Sequence, residues 1–347
     1  MSTVKSPIPF VDFDGLVDGT PERRQEIGDQ FYKACREVGF AYIVNHGIPQ
    51  EKIDGMFDYS KQFFDLPLET KRSILHPADA SQHRGYSETG VEQAWKMYHT
   101  EEEFRELQRK NAREYYPDCK ETYEIGKVGN DDSKFMKNIW LEDRHLAGLR
   151  PFSTDFFMNE CRPLQMRALH ALTLGMPNVS EHAFEEYHSY ADNQMRLAHY
   201  PSRPWEEFES GEKGRLGAHT DFGTCTFIFQ DEVGGLEVED KRSGEYVDAP
   251  PVPGSIIFNI GDFLMRWSND ALISNRHRVK GPVRGPHDGP RPKSRYSVIY
   301  FCTPDKDKMI DTLPGTWSHE IPKRYEAISP MEFSKVKFEA INPVRGA

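Results

Sequence analysis

From residue 195 onward the chain is cut into short β-rich runs, and no other feature limits the available folds as strongly. Runs near 195–200, 224–230, 235–239, 245–249, 255–260, 273–280 and 295–302 are separated by Gly, Pro and Asp turns. Seven or eight short strands at this spacing close on one another as a jelly roll or barrel, with helices packed around them. The first half supplies the helices. The segment Pro21 to Val38 places Ile27, Phe31 and Cys35 four apart on one face, and a helix over 51–64 ends before Pro67. Further helical patterns cover 68–74, 100–113, 152–175 and 180–190, the last opened by a Ser180 cap beside Glu181. Residues 8–13 and 39–47 read as strands, and 115–150 as a loop able to act as a lid. The predicted class is α+β with a mainly β core. One catalytic domain spans 1–347, with a helix- and loop-bearing region over 1–150 and the strand core over 195–303, since no flexible linker separates the halves.

The chemistry-bearing residues sit on these strands. His219-Thr220-Asp221 is followed 56 residues later by His277 and then by Arg295-Tyr296-Ser297. Roughly one His-x-Asp is expected by chance in a chain with thirteen histidines, so the tripeptide gains weight only from its context. On an extended segment His219 and Asp221 share a face, as do His277 and Val279, and as do Arg295, Ser297, Ile299 and Phe301. Two histidines and one carboxylate form the facial triad of non-heme iron(II) oxygenases, which leaves three metal positions open. An Arg with a neighbouring hydroxyl matches a carboxylate through its guanidinium fork. A buried Arg on an apolar strand face requires an anionic partner. The competing readings are surface histidines with one structural ion pair, a zinc-dependent hydrolase, and a catalytically silent jelly-roll binding module. Against the hydrolase, no His-Glu-x-x-His occurs.

Composition narrows the partners. A formal charge of −11 repels phosphate backbones and anionic membranes, so neither nucleic acid polymers nor membranes are expected partners. Five cysteines without a Cys-x-x-Cys pair suit a reducing compartment. With no apolar leader and no run of about 18 apolar residues, a cytoplasmic protein is expected.

At this point the sequence resembles the isopenicillin N synthase-like branch of the iron(II)/2-oxoglutarate-dependent dioxygenases over nearly its whole length. The resemblance rests on Ile8 to Asp12, Gly39 to Pro49, Ala218 to Gly223, Gly234 to Val238, Asn259 to Asp262, Ser274 to Val279 and Arg295 to Phe301. It implies a distorted double-stranded β-helix (jelly roll) with iron(II) held by His219, Asp221 and His277. It further implies 2-oxoglutarate held at its C5 carboxylate by Arg295 and Ser297, with Tyr200 donating its hydroxyl. Ala198 stands where many plant relatives have Asn. Residues Glu121 to Gly126, Asp192 to Arg196, Arg266 to Asp270 and Phe301 to Pro304 make the chain most similar to the fungal thymine-7-hydroxylase type. That likeness assigns Asn193 and Arg196 to polar contacts with a small planar substrate, and Phe222 and Phe301 to stacking on it. Phe222 replaces an expected Tyr, and fungal oxygenases of aromatic polyketides share the scaffold, so a pyrimidine base and a phenolic secondary metabolite are both expected substrates. The implied reaction consumes O2, releases succinate and CO2, and proceeds by ferryl hydrogen-atom abstraction to hydroxylation or ring rearrangement, with ascorbate as reductant. His199 and His46 read as locally bonded histidines, and Met265 and Trp267 as core.

Overall fold

The computed structural model describes residues 7–77, 83–92, 101–110, 116–128 and 136–341. Its strands are β1 (Phe10–Asp12), β2 (Phe40–Val44), β3 (Gly85–Ser87), β4 (Glu121–Gly126), β5 (Gln194–Tyr200), β6 (Leu216–His219), β7 (Cys225–Gln230), β8 (Leu236–Glu239), β9 (Tyr246–Asp248), β10 (Ser255–Ile260), β11 (His277–Val279) and β12 (Arg295–Cys302). The helices are α1 (Pro21–Glu37), α2 (Gln50–Phe64), α3 (Leu68–Arg72), α4 (Glu101–Lys110), α5 (Leu149–Asp155), α6 (Arg162–Gly175), α7 (Trp205–Glu209), α8 (Asp262–Trp267) and α9 (Pro330–Ile341). Among the described residues no helix is long and apolar enough to cross a membrane.

Eight strands form a wide sheet in the order β1-β2-β10-β7-β12-β5-β4-β3, and four form a narrow one, β6-β11-β8-β9. Alternation sorts the wide sheet into two faces. Met195, Leu197, Phe227, Phe229, Phe258, Val298 and Tyr300 point outward and merge with the apolar faces of α1, α2 and α6 in one core. Ala198, Tyr200, Ile228, Ile257 and Ile299 point inward and meet Leu236, Val238 and Val279 of the narrow sheet. The two sheets thus face each other across an interior shared by both.

Helix α1 shows how local sequence fixes this arrangement. Thr20 caps it by accepting from the Arg23 N–H, Pro21 occupies the first turn, and Ile27, Phe31, Ala34 and Cys35 are buried. Gly39 then takes φ +77°, open to glycine at little cost, while the Ile273 carbonyl lies 2.2 Å from where a Cβ would stand. The chain is thereby turned directly into β2.

Several expectations change. The stretch 115–150 contains β4, which pairs with both β3 and β5, so its described part is not simply a loop or lid. Its inner residues Thr122 and Glu124 are polar, which hid the strand from a reading by apolar alternation. The pattern over 180–190 yields only one short 3-10 turn, Glu185–His188. Helix 152–175 is continuous with α5 through a wide turn at Phe156–Cys161 just before Pro163, whose missing N–H interrupts the regular ladder. Residues 273–276 lie outside β11, because Ser274 Oγ bonds Asp262 and Asn275 Nδ2 bridges the carbonyls of Val38 and Glu239. The ends of the helix expected over 100–113 fall outside the described residues.

Two buried histidines make the fold sensitive to acid. Burial, with Arg167 nearby, pushes His46 down to about 4, and its Nδ1 accepts the Ile48 N–H. Burial likewise pushes His188 down to about 4, where it sits between the Phe184 carbonyl and Thr224 Oγ1. An unfolded chain protonates these rings near pH 6.5 while the folded one keeps them neutral. Their contribution to stability is therefore present above about pH 6.5 and lost as pH falls toward about 4. Thermal unfolding of metal-free protein should show a falling midpoint across that window, and a midpoint independent of pH there would contradict the assignment.

Candidate metal centre

Antiparallel pairing of β6 with β11 sets His219 directly opposite His277, with ring centroids 4.3 Å apart. Asp221 follows in the turn after β6, and its Oδ1 lies 3.8 Å from the Nε2 of each histidine. Both rings bond through Nδ1 to the carbonyl two residues earlier, His219 to Gly217 within β6 at 2.9 Å and His277 to Asn275 just before β11 at 3.3 Å. With Nδ1 donating, the Nε2 lone pairs face each other and Asp221. The other carboxylate oxygen, Oδ2, accepts from Thr226 Oγ1 at 2.6 Å and Asn259 Nδ2 at 2.8 Å. Oδ1 is left for a cation.

Charge supports the same use. Burial, with His277 beside it, pushes His219 down to about 3, so it is neutral at working pH and need shed no proton to bind a metal. Burial acts to raise the Asp221 carboxyl, but His277, His219 and the two hydrogen bonds outweigh it and hold the group below the usual range. The turn is gripped from behind. The N–H groups of Asp262 and Phe263 at the start of α8 donate to the carbonyls of Asp221 and Phe222, and a Cβ at Gly261 would stand 2.2 Å from the Gly223 carbonyl oxygen. Asp262 also accepts from Thr220, Ser274 and Lys337, which ties α9 to the same turn.

Two other groups of the described residues have metal-ligand spacing. His170, His182 and Glu185 lie at the surface, and in His76, His83 and Glu124 the carboxylate is committed to Arg196 and Gln194. The buried triad alone has an unspent carboxylate oxygen aimed at two oriented imidazoles.

Arg295 opens β12 on the inner face and is 1% exposed. Its Nε donates to the Gly234 carbonyl, Nη1 to Ser297 Oγ and Nη2 to Gln230 Oε1, and its guanidinium lies 4.9 Å from the Tyr200 ring. No carboxylate pairs with it among the described residues, so the anionic partner expected from burial is not a side chain of that set. A second buried guanidinium, Arg215, donates to the carbonyls of Gly234 and Lys293 and, among the described residues, to no carboxylate. Burial and then repulsion from Arg295 push it down to about 10. Asp231 is bound to the N–H groups of Val233 and Tyr296. Among the described residues neither arginine has a bonded carboxylate, so this end of the interior has the charge and the donors to accept an anion. Arg215 was not legible in advance, because it follows a charged run with no strand pattern.

The remaining expected residues divide. Arg196 faces the interior with its guanidinium 5.4 Å from the Phe301 ring, and it pairs with Glu124 at 2.5 Å and Glu92 at 3.3 Å. Phe222 and Phe301 are half-buried, Phe222 beside the metal turn and Phe301 on the inner face of β12. Asn193 is not brought to that face. Its Nδ2 donates to Gln165 and Tyr300 and its Oδ1 accepts from Thr303, all toward the helical layer. His199 bonds Glu121 and stacks on Tyr296 on the outer face. Lys120 and Glu124, which flank Arg196, were missed because charged residues in a stretch read as loop carry no positional signal, and Glu92 because its segment was given no reading.

Family comparison agrees with this geometry. Residues 8–143 match the N-terminal model of the non-haem dioxygenases of morphine synthesis, and residues 191–304 match the 2OG-Fe(II) oxygenase superfamily. The chain is 35% identical to the 2-oxoglutarate-dependent dioxygenase frbA of Dothideomycetidae sp. (strain 11243), covering 88% of each chain. It is 37% identical to the proline hydroxylase buaE of Petromyces alliaceus, covering 87% of this chain and 89% of that one. The chain belongs to the 2-oxoglutarate–iron(II) oxygenases. Full-length Neurospora crassa thymine-7-hydroxylase, solved with α-ketoglutarate, superposes with a TM-score of 0.82 at 31% identity over 95% of this chain and 96% of that one. This oxygenase is therefore a 2-oxoglutarate-dependent dioxygenase of the thymine-7-hydroxylase-like type, with the jelly-roll core of the superfamily.

Because Thr226 and Asn259 fix which oxygen Asp221 presents, Thr226→Val should weaken divalent-metal affinity by about 10- to 100-fold while the chain stays folded. Calorimetric titration with Mn(II) measures this, and an unchanged affinity would show that Thr226 does not orient the carboxylate.

Proposed function

We propose that His219, Asp221 and His277 hold iron(II), that Arg295, Ser297 and Tyr200 hold the distal carboxylate of 2-oxoglutarate, and that the enzyme oxidises a compact ring-bearing organic molecule. The observation that carries this reading is one interior with an oriented His-Asp-His cluster and, on the facing strand, a buried guanidinium without a carboxylate. When bound, the iron and 2-oxoglutarate supply the oxidising power, with succinate and CO2 as the co-products. The chain's residues do the rest. The Nδ1 bonds keep both imidazoles aimed inward, and Thr226 with Asn259 turns Asp221 toward them. Arg295, already steered by Gly234 and Gln230, offers a fixed fork with Ser297 beside it. Arg215 adds positive potential at the same end.

For the organic substrate, Phe222 and Phe301 supply two ring faces, and Arg196 a polar edge held over Phe301. The thymine-7-hydroxylase neighbour, solved with thymine, supports a small planar substrate, and its fungal dioxygenase relatives support a place in secondary metabolism. Arg196 is already paired with two carboxylates, so it is not a free receptor for an acidic phenol.

Arg295→Ala should cost about 1.5–3 kcal/mol of 2-oxoglutarate affinity, since it removes charge-assisted bonds to an otherwise unpaired carboxylate. The parent should form succinate with iron(II) and oxygen, and zinc should not replace iron. Unchanged 2-oxoglutarate affinity in the variant, or oxygen-independent turnover with zinc, would overturn the proposal.

A further inference from the structure

The ladder that sets His219 opposite His277 is short. β11 meets β6 through His277 with His219 and Val279 with Leu216, and the register shifts between them. On the N-terminal side of His277 the chain is no longer strand, and Asp221 lies in the turn after β6. So brief and irregular a ladder decides which residues face each other, but where it ends the two ligand-bearing segments must be held together by side chains.

Asp262 stands at that end. Its Oδ1 accepts from Ser274 Oγ at 2.6 Å, and its Oδ2 accepts from Thr220 Oγ1 at 3.1 Å. Thr220 lies between His219 and Asp221, and Ser274 precedes Asn275, whose carbonyl bonds His277 Nδ1. The Asp262 N–H also donates to the Asp221 carbonyl at 2.7 Å. One residue outside the candidate ligand set thus touches both segments that carry it.

The Asp262 side chain is 8% exposed, and a carboxylate at that depth requires a counter-charge. Lys337 on α9 supplies it, with Nζ 2.6 Å from Oδ2, the same oxygen that holds Thr220. The lysine is itself held in place. Its ammonium lies 5.8 Å from the Phe222 ring and 5.6 Å from the Phe333 ring, and Phe333 packs edge-on against Phe263 at 5.3 Å.

We infer that Lys337 is a positioning residue for the metal centre, acting through Asp262. Its ammonium keeps the Asp262 carboxylate between Thr220 and Ser274, and this sets the spacing of His219, Asp221 and His277 before a metal binds. Without that charge the buried carboxylate turns toward water, and the two segments lose their common anchor. The inference rests on the metal-centre reading above and gives the C-terminal helix a part in metal affinity.

The test titrates full-length protein with Mn(II) by calorimetry, without 2-oxoglutarate and below the unfolding transition of every variant, and follows metal-free thermal unfolding in parallel. The lysine side chain is 36% exposed, so Lys337→Met, which keeps the length and loses the charge, is readily accommodated. It should weaken Mn(II) binding by about tenfold, as loss of an outer-sphere partner of metal ligands does. Lys337→Arg, which keeps a cation beside Asp262, should recover most of that loss. In an Asp262→Asn background Lys337→Met should cost no further affinity, because the charge through which the lysine acts is gone. A helix that is merely docked would give a lower unfolding temperature in Lys337→Met with unchanged Mn(II) affinity, and that result overturns the inference. So does Mn(II) binding as weak in Lys337→Arg as in Lys337→Met, or an equal loss from Lys337→Met in both backgrounds. If Asp262→Asn does not fold, Lys337→Met and Lys337→Arg decide the matter alone. Failure of the metal-centre reading shows separately: a parent that does not bind Mn(II), or a His219→Ala variant that binds it as tightly, counts against the ligand set and removes the inference with it.

Discussion

The antiparallel register that places His219 opposite His277 is the constraint on which the rest of the site depends. A shift of one residue would turn one imidazole to the other face of the narrow sheet, and no side-chain motion could recover it. The pairing is held from both flanks. β8 fixes β11 through Leu236 and Val238, and the start of α8 fixes the turn that carries Asp221. The histidines need no charged neighbour to orient them, because each uses the carbonyl two residues earlier, and that carbonyl moves with the ring.

The wide sheet answers with two chemically different faces. Its outer face is continuous with the helices and is almost wholly apolar, whereas its inner face carries Arg295, Ser297, Gln230, Thr226, Asn259, Arg196, Glu124 and Thr122 among its apolar residues. Burying so many polar groups is costly unless each is bonded. Most are bonded to one another or to Asp221. Among the described residues, Arg295 and Arg215 have no bonded carboxylate, and the hydroxyls of Thr122 and Ser87 have no hydrogen-bond partner.

Legibility in the sequence followed the same division. Strands with an apolar inner or outer stripe, such as β5, β7, β10 and β12, were readable from alternation, and with them the face shared by Arg295 and Ser297. β4 was not, since Thr122 and Glu124 replace its inner apolar residues, and β11 shortened because Ser274 and Asn275 are spent on tertiary bonds. The candidate metal-ligand set was visible because His219 and Asp221 stand two apart on an extended segment and His277 sits on the inward side of its own alternating run. The placement of Asn193 was not, because it precedes β5 on the opposite parity from Arg196, and only the register reveals that its amide serves Gln165 and Tyr300. Long-range pairings such as Arg196 with Glu92 join segments about a hundred residues apart, and no local pattern encodes them.

The electrostatic contrast between the two ends of the interior gives the site its direction. The Arg295 end carries two buried guanidinium groups, and it is to this end that the proposed function assigns the far carboxylate of the cosubstrate. At the Arg196 end charge is mixed, since Glu92 and Glu124 meet Lys120 and Arg196 with the buried Arg84 beside Glu124. The inner-face residues of β12 run Arg295, Ser297, Ile299 and Phe301, with Arg196 opposite Ile299, so one strand pair joins the two charge environments and Phe301 closes it beyond Arg196.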